Sequence, residues 1–352
     1  QSAIAYGNNY LPGYHGNILA SRIWKREKML VDKHNRTFPY LRLSITEVCN
    51  FSCQYCLPNG YKKTGKEYFL NQDEIRRLVD AFIELGVWKI RLTGGEPTIR
   101  KDFTEIAQMI SERSEIKTLA FTTNGYKLVE RAQEWYDAGL NAINISIDTL
   151  NAKKFHDLTG HNRMQMVRDG IDKALKVGFK KVKINVVLLK GVNDGELDQY
   201  LEYVKDTPVS VRYIELMQTG DNLTYFNKFH QSADHIKDQL IDRNWVENIR
   251  NPGDGPAANF THPNFAGSIG LIAPYSKDFC NGCNRLRITS NGDLRLCLFG
   301  NFGIPLRHML QDDDQKDLLK AAVSKQLDYK ASSHFLAAGD TGIMTNLSST
   351  GG

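Results

Sequence analysis

Strand-like and helical segments alternate along the first two thirds of the chain. Six runs show the apolar-polar alternation of period two that is typical of β-strands. They lie at 40–46, 87–93, 117–122, 142–148, 181–188 and 211–216. Helical stretches between them end at a glycine, as at Gly86, Gly139 and Gly178. Repeated units of this kind predict an α/β fold with a parallel sheet and right-handed crossovers.

Polar residues within these strands indicate how the sheet is arranged. In five of the strands, a polar residue within the strand or at its end alternates with apolar neighbours. These residues are Arg42, Arg91, Thr122, Ser146 and Lys183. A doubly wound sheet buries both faces in apolar residues, whereas a barrel turns alternate residues inward toward one mouth, where active sites form. Six units are fewer than the eight of a complete barrel. The sequence therefore predicts an incomplete (βα)6 TIM-like barrel that is open along one side.

The last part of the chain breaks this rhythm. Residues 221–352 are rich in loops and contain a helical stretch near 312–327. We therefore predict a barrel domain at 36–220 and a C-terminal lid domain at 221–352. Residues 1–35 lack the apolar segment of a secretory signal and are interpreted as a leader, tag or flexible extension, with Met29 as a candidate native start.

Composition excludes some classes of function. The longest apolar runs fall short of the 18 residues that a membrane span needs. The net charge of +5 comes from scattered Lys and Arg residues, which does not indicate nucleic-acid binding. An anionic small molecule is the partner that this mild basicity favours.

Six cysteines fall into two groups of three. The first triplet is Cys49, Cys53 and Cys56, and the second triplet is Cys280, Cys283 and Cys297. Disulfide pairing within a triplet would leave one thiol over, whereas metal ligation uses all six. The pattern therefore predicts two metal sites and a reducing, cytoplasmic location.

The first triplet has the spacing C-x-x-x-C-x-x-C directly after the first strand. Three thiolates can hold three irons of a [4Fe-4S] cluster, whose ligation normally takes four cysteines. The fourth iron then keeps an open coordination position, which is typical of a catalytic metal centre. The alternative is a zinc site completed by His34 or His156.

This spacing, with Tyr55 just before the last cysteine, resembles the radical S-adenosylmethionine (SAM) superfamily. Gly94, Gly95, Glu96 and Pro97 match the superfamily's GGEP motif, where bare glycine backbone would let the methionyl end of SAM approach. The resemblance implies that SAM chelates the open iron through its amino and carboxylate groups. It also implies that an electron from the cluster breaks a carbon-sulfur bond to give the 5′-deoxyadenosyl radical.

The second triplet allows two interpretations on its spacing alone. A Cys-x-x-Cys pair followed by a third cysteine suits an iron-sulfur cluster, and it equally suits zinc completed by one histidine. The candidate histidines are His262, His308 and His334.

Cationic residues accompany the second triplet. Arg285 and Arg287 alternate with Leu286, so they share one face if this segment is extended. With Arg42, Arg91 and Lys183 they would direct five positive charges into one cavity, and leaving a buried charge unpaired costs several kcal/mol. A nucleoside triphosphate would match them better than a single carboxylate. The alternative is an internal ion-pair network with Glu96, Asp148 and Glu215.

Longer motifs narrow the resemblance to the GTP 3′,8-cyclase family of molybdenum cofactor biosynthesis. They are LRLSITEVCNF, RLTGGEPTIR, FTTNGY, FCNGCNRLRITSNGDLRLCLFG and the terminal Gly351-Gly352. The resemblance implies SAM contacts from Tyr55, Gly95, Ser146 and Met217. It implies GTP contacts from Arg42, Arg91, Thr122, Lys183, Arg285, Leu286 and Arg287. It further implies that the second triplet holds a second [4Fe-4S] cluster whose open iron meets the guanine, and that Gly351 and Gly352 reach back into the active site alongside Arg285 and Arg287.

The activity that this family resemblance implies is a radical lyase reaction. The radical takes hydrogen from C3′ of GTP, and C3′ joins C8. Reduction of that radical adduct by one electron, through the second cluster, and uptake of one proton give (8S)-3′,8-cyclo-7,8-dihydroguanosine 5′-triphosphate. The implied partners are an electron donor such as flavodoxin or ferredoxin, the next-step enzyme cyclic pyranopterin monophosphate synthase, and a second copy in a homodimer. Two alternatives stay open: a radical SAM enzyme with an auxiliary cluster acting on a peptide or other anionic metabolite, and a zinc-stapled binding protein without catalysis.

Overall fold

A computed structural model of the chain describes residues 29–63, 68–250, 254–301, 303–343 and 347–348. Its central element is one mixed sheet of 12 strands in these described residues. The strands are β1 (Tyr40–Thr46), β2 (Lys89–Gly94), β3 (Thr118–Thr123), β4 (Ala142–Ser146), β5 (Lys181–Leu188), β6 (Ser210–Glu215), β7 (Val246–Glu247), β8 (Ala258–Thr261), β9 (Ser268–Ile272), β10 (Arg285–Ile288), β11 (Asp293–Arg295) and β12 (Ile304–Pro305).

Helices connect and cover these strands. They are α1 (Gln72–Glu84), α2 (Phe103–Ser111), α3 (Leu128–Asp137), α4 (Ala152–Thr159), α5 (Met164–Val177), α6 (Leu197–Asp206), α7 (Leu223–Phe229), α8 (Asp234–Asp242) and α9 (Lys316–Gln326). Helix α1 begins at a capping box, in which the Asn71 and Glu74 side chains each accept the other's backbone N–H at 2.9 Å. None of the helices in the described parts of the chain combines the length and apolar character needed to span a membrane.

The sheet has the order β12-β11-β10-β1-β2-β3-β4-β5-β6-β9-β8-β7. Strands β1 to β6 are neighbours in chain order and parallel, as the sequence predicts. In the described residues the edge strands β12 and β7 pair only with β11 and β8, so the sheet does not close into a complete barrel. The α/β partial barrel predicted from the sequence is therefore confirmed.

The C-terminal part of the chain adds strands to both edges of this barrel. Strand β10 pairs in parallel with β1, and β9 pairs in parallel with β6. Beyond them the sheet continues through antiparallel strands. Residues after 220 therefore extend the walls of the barrel as well as covering it. The domain boundary at 220/221 stays a prediction.

A buried apolar layer shows which side chains of each strand point away from the barrel interior. Leu41, Leu43 and Ile45 of β1 are fully buried, as are Ile90 and Leu92 of β2, and all belong to one core cluster. Because neighbouring residues of a strand point to opposite faces, this layer leaves the intervening residues directed into the barrel. The polar residues of the strands are thereby gathered inside.

The segment before β1 is also part of the fold. Leu30 is buried in the core, and Val31 forms an antiparallel bridge with Thr37 across a turn. The predicted boundary at residue 35 therefore lies within a folded turn. Residues 1–28, for which a leader or tag is predicted, lie outside the described residues.

Candidate active site

Two cavities lie inside the barrel at different depths. The carboxyl-end cavity lies where strands β2, β4 and β5 end, and the first cysteine triplet lines it. The basic cavity lies nearer the amino ends of the strands, and the second triplet lines it. Asn185, Ile214 and Met217 line both cavities. A ligand in one cavity would therefore adjoin a ligand in the other.

The first triplet lies on the loop after β1. The backbone N–H groups of Cys56 and Leu57 donate to the Cys53 carbonyl at 3.0 and 2.9 Å, which forms a tight turn. Two further backbone bonds tie the loop to the end of α4, from Ser52 to Thr159 at 3.2 Å and from Gln54 to Leu158 at 3.1 Å. The loop is thereby held over the carboxyl-end cavity.

The surroundings of the first triplet favour neutral thiols. Burial and the negative charge of Glu96 raise the pKa of Cys49 to about 11. Burial and nearby groups including Cys49 raise the pKa of Cys56 to about 12, and burial together with Asp148 raises that of Cys53. Metal binding requires thiolates, so a bound cation has to supply the charge that stabilises them.

The two glycines of the GGEP motif let two backbone segments touch. A Cβ on Gly94, which has φ of 141°, would lie 2.0 Å from the Thr46 carbonyl oxygen. A Cβ on Gly95 would lie 2.4 Å from the carbonyl oxygen of Val48 and 2.5 Å from that of Glu47. The two glycines therefore allow close packing against the backbone of residues 46–48, which leads into Cys49. This packing requires glycine independently of any approach by SAM.

Two buried carboxylates organise this cavity. Glu96 accepts hydrogen bonds from the Thr123 hydroxyl at 2.9 Å and the Asn124 backbone at 2.6 Å. Asp148 accepts one from the Tyr55 hydroxyl at 2.8 Å and one from the Val187 backbone at 2.8 Å. Burial raises the pKa of Asp148 to about 6. Glu96 therefore holds the end of β3 at the cavity, and Asp148 holds Tyr55 and β5 there.

The predicted SAM residues converge here. Tyr55, Gly95, Ser146 and Met217 all line the carboxyl-end cavity. Thr122, which the family resemblance links to GTP, lines this cavity and not the basic one, and its buried hydroxyl has no hydrogen-bond partner among the described residues.

The end of the chain also returns to this cavity. Leu347 and Ser348 line it, and the Leu347 backbone donates a hydrogen bond to the Cys56 thiol. Gly351 and Gly352, predicted to reach the active site, lie outside the described residues.

The basic cavity is built on two rows of residues that run across three strands. One row aligns Arg287, Arg42 and Arg91 on β10, β1 and β2, and the next aligns Arg285, Tyr40 and Lys89. Like charges directly opposite on neighbouring strands destabilise a sheet. The parallel registers of β10, β1 and β2 therefore concentrate positive charge that a ligand can offset.

Two further cations face these rows from other strands. Lys183 on β5 and Arg212 on β6 line the same cavity. Burial and the charges of Arg212 and Arg91 lower the pKa of Lys183 to about 6. Burial would raise the pKa of Tyr40, but the arginine charges outweigh it and lower that pKa to about 8. The cavity therefore has a strong excess of positive potential.

Several polar atoms in this cavity are ready for a ligand. The Nε atoms of Arg91 and Arg212 and the Oδ1 atom of Asn144 are buried without a hydrogen-bond partner among the described residues. Buried polar groups in native proteins are nearly always satisfied. An anion with several acceptor oxygens would satisfy the two arginines.

The carboxylates of the internal-network alternative are engaged elsewhere. Glu96 binds the Thr98, Thr123 and Asn124 groups, Asp148 binds Tyr55, and Glu215 accepts from the Ala233 backbone at 2.8 Å. These contacts give the network alternative no support.

The predicted GTP residues differ from those that line the basic cavity in both directions: some lining residues were missed, and two predicted ones, Thr122 and Leu286, do not line it. Lys89, Arg212 and Tyr40 line the cavity without having been predicted, although Lys89 precedes Arg91 by two residues and so shares its face. The Leu286 side chain is buried in the hydrophobic core on the opposite face from Arg285 and Arg287.

The second triplet has the opposite electrostatic character from the first. Burial would raise the pKa of Cys280, but hydrogen bonds from His334 and Ser333 outweigh it and lower the pKa to about 7. The charges of Lys330 and Arg285 likewise lower the pKa of Cys283 against the effect of burial. Positive surroundings of this kind stabilise thiolates.

The cysteines suit iron-sulfur clusters. All six are free thiols, three around each cavity. Within the described residues, no three His, Cys, Asp or Glu side chains converge on a position suited to a single metal ion. Three thiols on the wall of a large cavity fit a multi-iron cluster that keeps one open iron.

Comparison with known proteins identifies the family. Residues 43–204 match the Radical SAM superfamily, and residues 209–336 match Molybdenum Cofactor Synthesis C. The GTP 3′,8-cyclase of Stenotrophomonas maltophilia (strain R551-3) is 52% identical over 323 residues, which cover 92% of this chain and 99% of that protein. The chain belongs to the GTP 3′,8-cyclase family. The GTP 3′,8-cyclase of Tolumonas auensis is 50% identical over 324 residues, covering 92% of this chain and 96% of that protein.

Membership of the GTP 3′,8-cyclase family confirms the resemblance on which the sequence analysis rests. The chain is a radical SAM enzyme classed as a lyase, and SAM and two [4Fe-4S] clusters are its cofactors. The alternative of a zinc-stapled binding protein without catalysis is therefore wrong.

Solved structures support the fold of this GTP 3′,8-cyclase family member. Streptococcus suis SuiB, determined bound to the precursor peptide SuiA, matches with a TM-score of 0.53 at 18% identity, covering 92% of this chain and 75% of that chain. SuiB bound to S-adenosylmethionine matches with a TM-score of 0.52 at 17% identity, covering 92% of this chain and 74% of that chain. These likenesses concern the fold alone.

Proposed function

We propose that the protein converts GTP to (8S)-3′,8-cyclo-7,8-dihydroguanosine 5′-triphosphate, the first step of molybdopterin biosynthesis. The observation that carries this proposal is the pair of adjoining cavities, one lined by the radical SAM cysteines and the other by rows of cations. Such an arrangement suits a substrate that carries a triphosphate and reacts at its ribose.

In this proposal the carboxyl-end cavity binds the first cluster and SAM. Cys49, Cys53 and Cys56 would hold the cluster. SAM would be oriented by the four predicted SAM residues that line the cavity, which are Tyr55, Gly95, Ser146 and Met217. When bound, these cofactors supply an organic radical. The chain's own contribution is to hold Tyr55 through Asp148 and to limit access of water with the cysteine loop and the Leu347 tail.

The basic cavity would bind the triphosphate. Charge-assisted hydrogen bonds contribute about 1.5 to 3 kcal/mol each, so the two rows together with Lys183 and Arg212 provide ample affinity for four negative charges. Cys280, Cys283 and Cys297 on the same wall would hold the second cluster against the guanine end. Met217 and Asn185, shared by both cavities, would then lie beside the ribose, where proximity accelerates the reaction.

The proposal extends to the partners that the family resemblance implies. A flavodoxin or ferredoxin would supply electrons, cyclic pyranopterin monophosphate synthase would take the product, and two copies of the chain would form a homodimer. A cytoplasmic location accords with six free thiols. Gly351 and Gly352, four residues or fewer beyond Ser348, would extend the tail that lines the carboxyl-end cavity.

An anaerobic assay tests the proposed function. Iron-reconstituted protein is mixed with dithionite, SAM and GTP, and both 5′-deoxyadenosine and the cyclised nucleotide are measured by mass spectrometry. The two products are expected together. 5′-Deoxyadenosine without a nucleotide product would assign the radical to another substrate, such as a peptide, and neither product from fully iron-loaded protein would overturn the proposal.

Removing one arginine of the rows tests the binding of the triphosphate. We expect Arg287→Ala to weaken GTP affinity by about 10-fold to 100-fold, since a charge-assisted hydrogen bond contributes about 1.5 to 3 kcal/mol. Calorimetry of the variant with GTP measures the change. SAM cleavage should persist, because Arg287 does not line the carboxyl-end cavity.

A neighbouring arginine provides the control for this variant. Arg295 lies directly across from Arg287 on β11 and lines neither cavity, so Arg295→Ala should leave GTP affinity within about twofold. Equal GTP affinity in the Arg287→Ala variant and the unaltered protein would contradict the assignment of Arg287.

Lys183 should couple GTP binding to the uptake of a proton. With a pKa of about 6, its amine is mostly neutral at pH 7.5, and a bound triphosphate raises this pKa by stabilising the ammonium ion. Binding therefore takes up a proton, and affinity falls as pH rises above 6, by at most about tenfold per pH unit. Calorimetry in two buffers of different ionisation enthalpy measures this uptake.

Two lysine variants check the source of that proton. Lys183→Met should remove most of the uptake, whereas Lys181→Met, on the exposed start of the same strand, should retain it. A buffer-independent binding enthalpy in the unaltered protein would show that Lys183 does not change its charge on binding.

A further inference from the structure

Two buried cations contact the segments of the second cysteine triplet without lining the basic cavity. Arg36 is 8% exposed and Lys330 is 3% exposed, and neither lines either cavity. Burying a cation is costly unless its donors are satisfied. Their partners are therefore informative about their role.

Arg36 joins three distant segments through one guanidinium group. Its Nη1 atom donates to the carbonyl oxygen of Cys280 at 3.2 Å and to that of Ser332 at 2.7 Å. Its Nη2 atom donates to the carbonyl oxygen of Ala331 at 2.6 Å. The fully buried Asp32 carboxylate orients the group, with Nε donating to Oδ2 at 2.8 Å. Only a planar group with donors in a fixed fork can serve all these acceptors at once.

Lys330 holds the other end of the second triplet. Its Nζ atom donates to the carbonyl oxygen of Leu296, the residue before Cys297, and lies 5.3 Å from the ring centre of Phe38. In the described residues no carboxylate forms an ion pair with Lys330. Its positive charge is therefore not offset by an adjacent anion.

These contacts form one clamp, made of Asp32, Arg36, Phe38 and Lys330. Arg36 fixes the segment of Cys280 and Lys330 fixes that of Cys297, while residues 331–332 follow directly on Lys330. The clamp therefore sets the separation of the cysteine segments through atoms that do not touch the substrate cavity.

We propose that Arg36 and Lys330 are positioning residues for the second iron-sulfur cluster: Arg36 assembles its ligand segments, and Lys330 raises its reduction potential. This inference rests on the proposed function, in which the second triplet holds that cluster. Net charge and hydrogen bonding around a cluster set its reduction potential, and a buried positive charge favours the more negative, reduced form. Around the first triplet the buried charged groups are instead carboxylates, since Glu96 and Asp148 line the carboxyl-end cavity.

The experiment uses the full chain carrying Cys49→Ala, Cys53→Ala and Cys56→Ala, so that only the second cluster is observed. Into this parent we introduce Arg36→Gln, Arg36→Lys or Lys330→Met. Arg307→Gln is the matched control, because Arg307 likewise clasps two backbone carbonyls and a buried carboxylate, Glu74, but away from both triplets. The readouts are the rate of iron loss to a chelator and the potential from anaerobic redox titration followed by electron paramagnetic resonance.

Arg36→Gln and Arg36→Lys should both lose iron at least several-fold faster than the parent, since a lysine cannot replace the fork. Lys330→Met breaks one backbone contact rather than three, so it should lose iron more slowly than either Arg36 variant. Its cluster should shift about tenfold toward the oxidised form, which is about 59 mV for one electron. Arg307→Gln should match the parent in both measurements.

Parent-like iron loss in both Arg36 variants would overturn the assembly role, and a parent-like potential in Lys330→Met would overturn the tuning role. Equal changes in Arg307→Gln would also overturn the inference, because they would report general destabilisation. A parent that binds no iron would instead refute the second cluster of the proposed function itself.

Discussion

Replacing Cys53 with alanine should abolish reductive cleavage of SAM and leave about half of the iron, because each triplet is proposed to hold one four-iron cluster. Two remaining thiols cannot secure three irons, and the carboxylates that line this cavity already accept hydrogen bonds from other groups. Iron and sulfide analysis and 5′-deoxyadenosine production under anaerobic conditions measure both effects.

The matched variant is Cys283→Ala in the second triplet. It should lose the other half of the iron and all cyclised nucleotide, yet still cleave SAM, because the carboxyl-end cavity is intact. Persistent SAM cleavage by Cys53→Ala, or its loss in Cys283→Ala alone, would show that the roles of the two triplets are assigned the wrong way round.

Gly95→Ala should destabilise the fold by about 3 kcal/mol and remove the first cluster. The new Cβ would lie 2.4 to 2.5 Å from two backbone carbonyl oxygens, at Val48 and Glu47, and neither can move without shifting the chain that leads into Cys49. Overpacking of this kind costs about 1 to 3 kcal/mol, and the loss of iron-binding geometry adds to it. Urea denaturation and iron retention measure the two effects.

Gly195→Ala is the control for this substitution. A Cβ at Gly195 would meet nothing within 4 Å, and the stability of that variant should change by no more than about 0.5 kcal/mol. A Gly95→Ala protein with normal stability and normal iron content would mean that the backbone contact at this motif is dispensable.

The sequence predicted the barrel and its polar interior because both follow from local periodicity. Arg42, Arg91 and Lys183 were found as polar residues alternating with apolar ones, and alternation alone determines the face of a strand. The same argument would have found Lys89, had more than one polar residue per strand been considered, and Arg212, had the sixth strand been included. Leu286 was placed with GTP by resemblance, although its alternation with Arg285 and Arg287 puts its side chain in the core.

The rest depended on register and on contacts between distant parts of the chain. The alignment of Arg287 with Arg42 and Arg91 requires β10 to pair with β1 across more than half of the sequence. Thr122 lies at the carboxyl-end cavity rather than the basic one because of its position along the barrel axis. The alternation of residues predicts the face of a strand but not this position. The role of Arg36 does not follow from the local sequence, because its partners Ala331 and Ser332 lie almost 300 residues away.

Strands β9 and β10 have a consequence for how the protein is made. They leave the ribosome after β1 to β6, yet they form both flanks of the sheet around the site. A nascent chain therefore exposes the three thiols of the first triplet well before Arg285 and Arg287 exist to complete the neighbouring wall. Translation makes the first triplet before the strands that flank it, so the site is complete only once these late strands have docked.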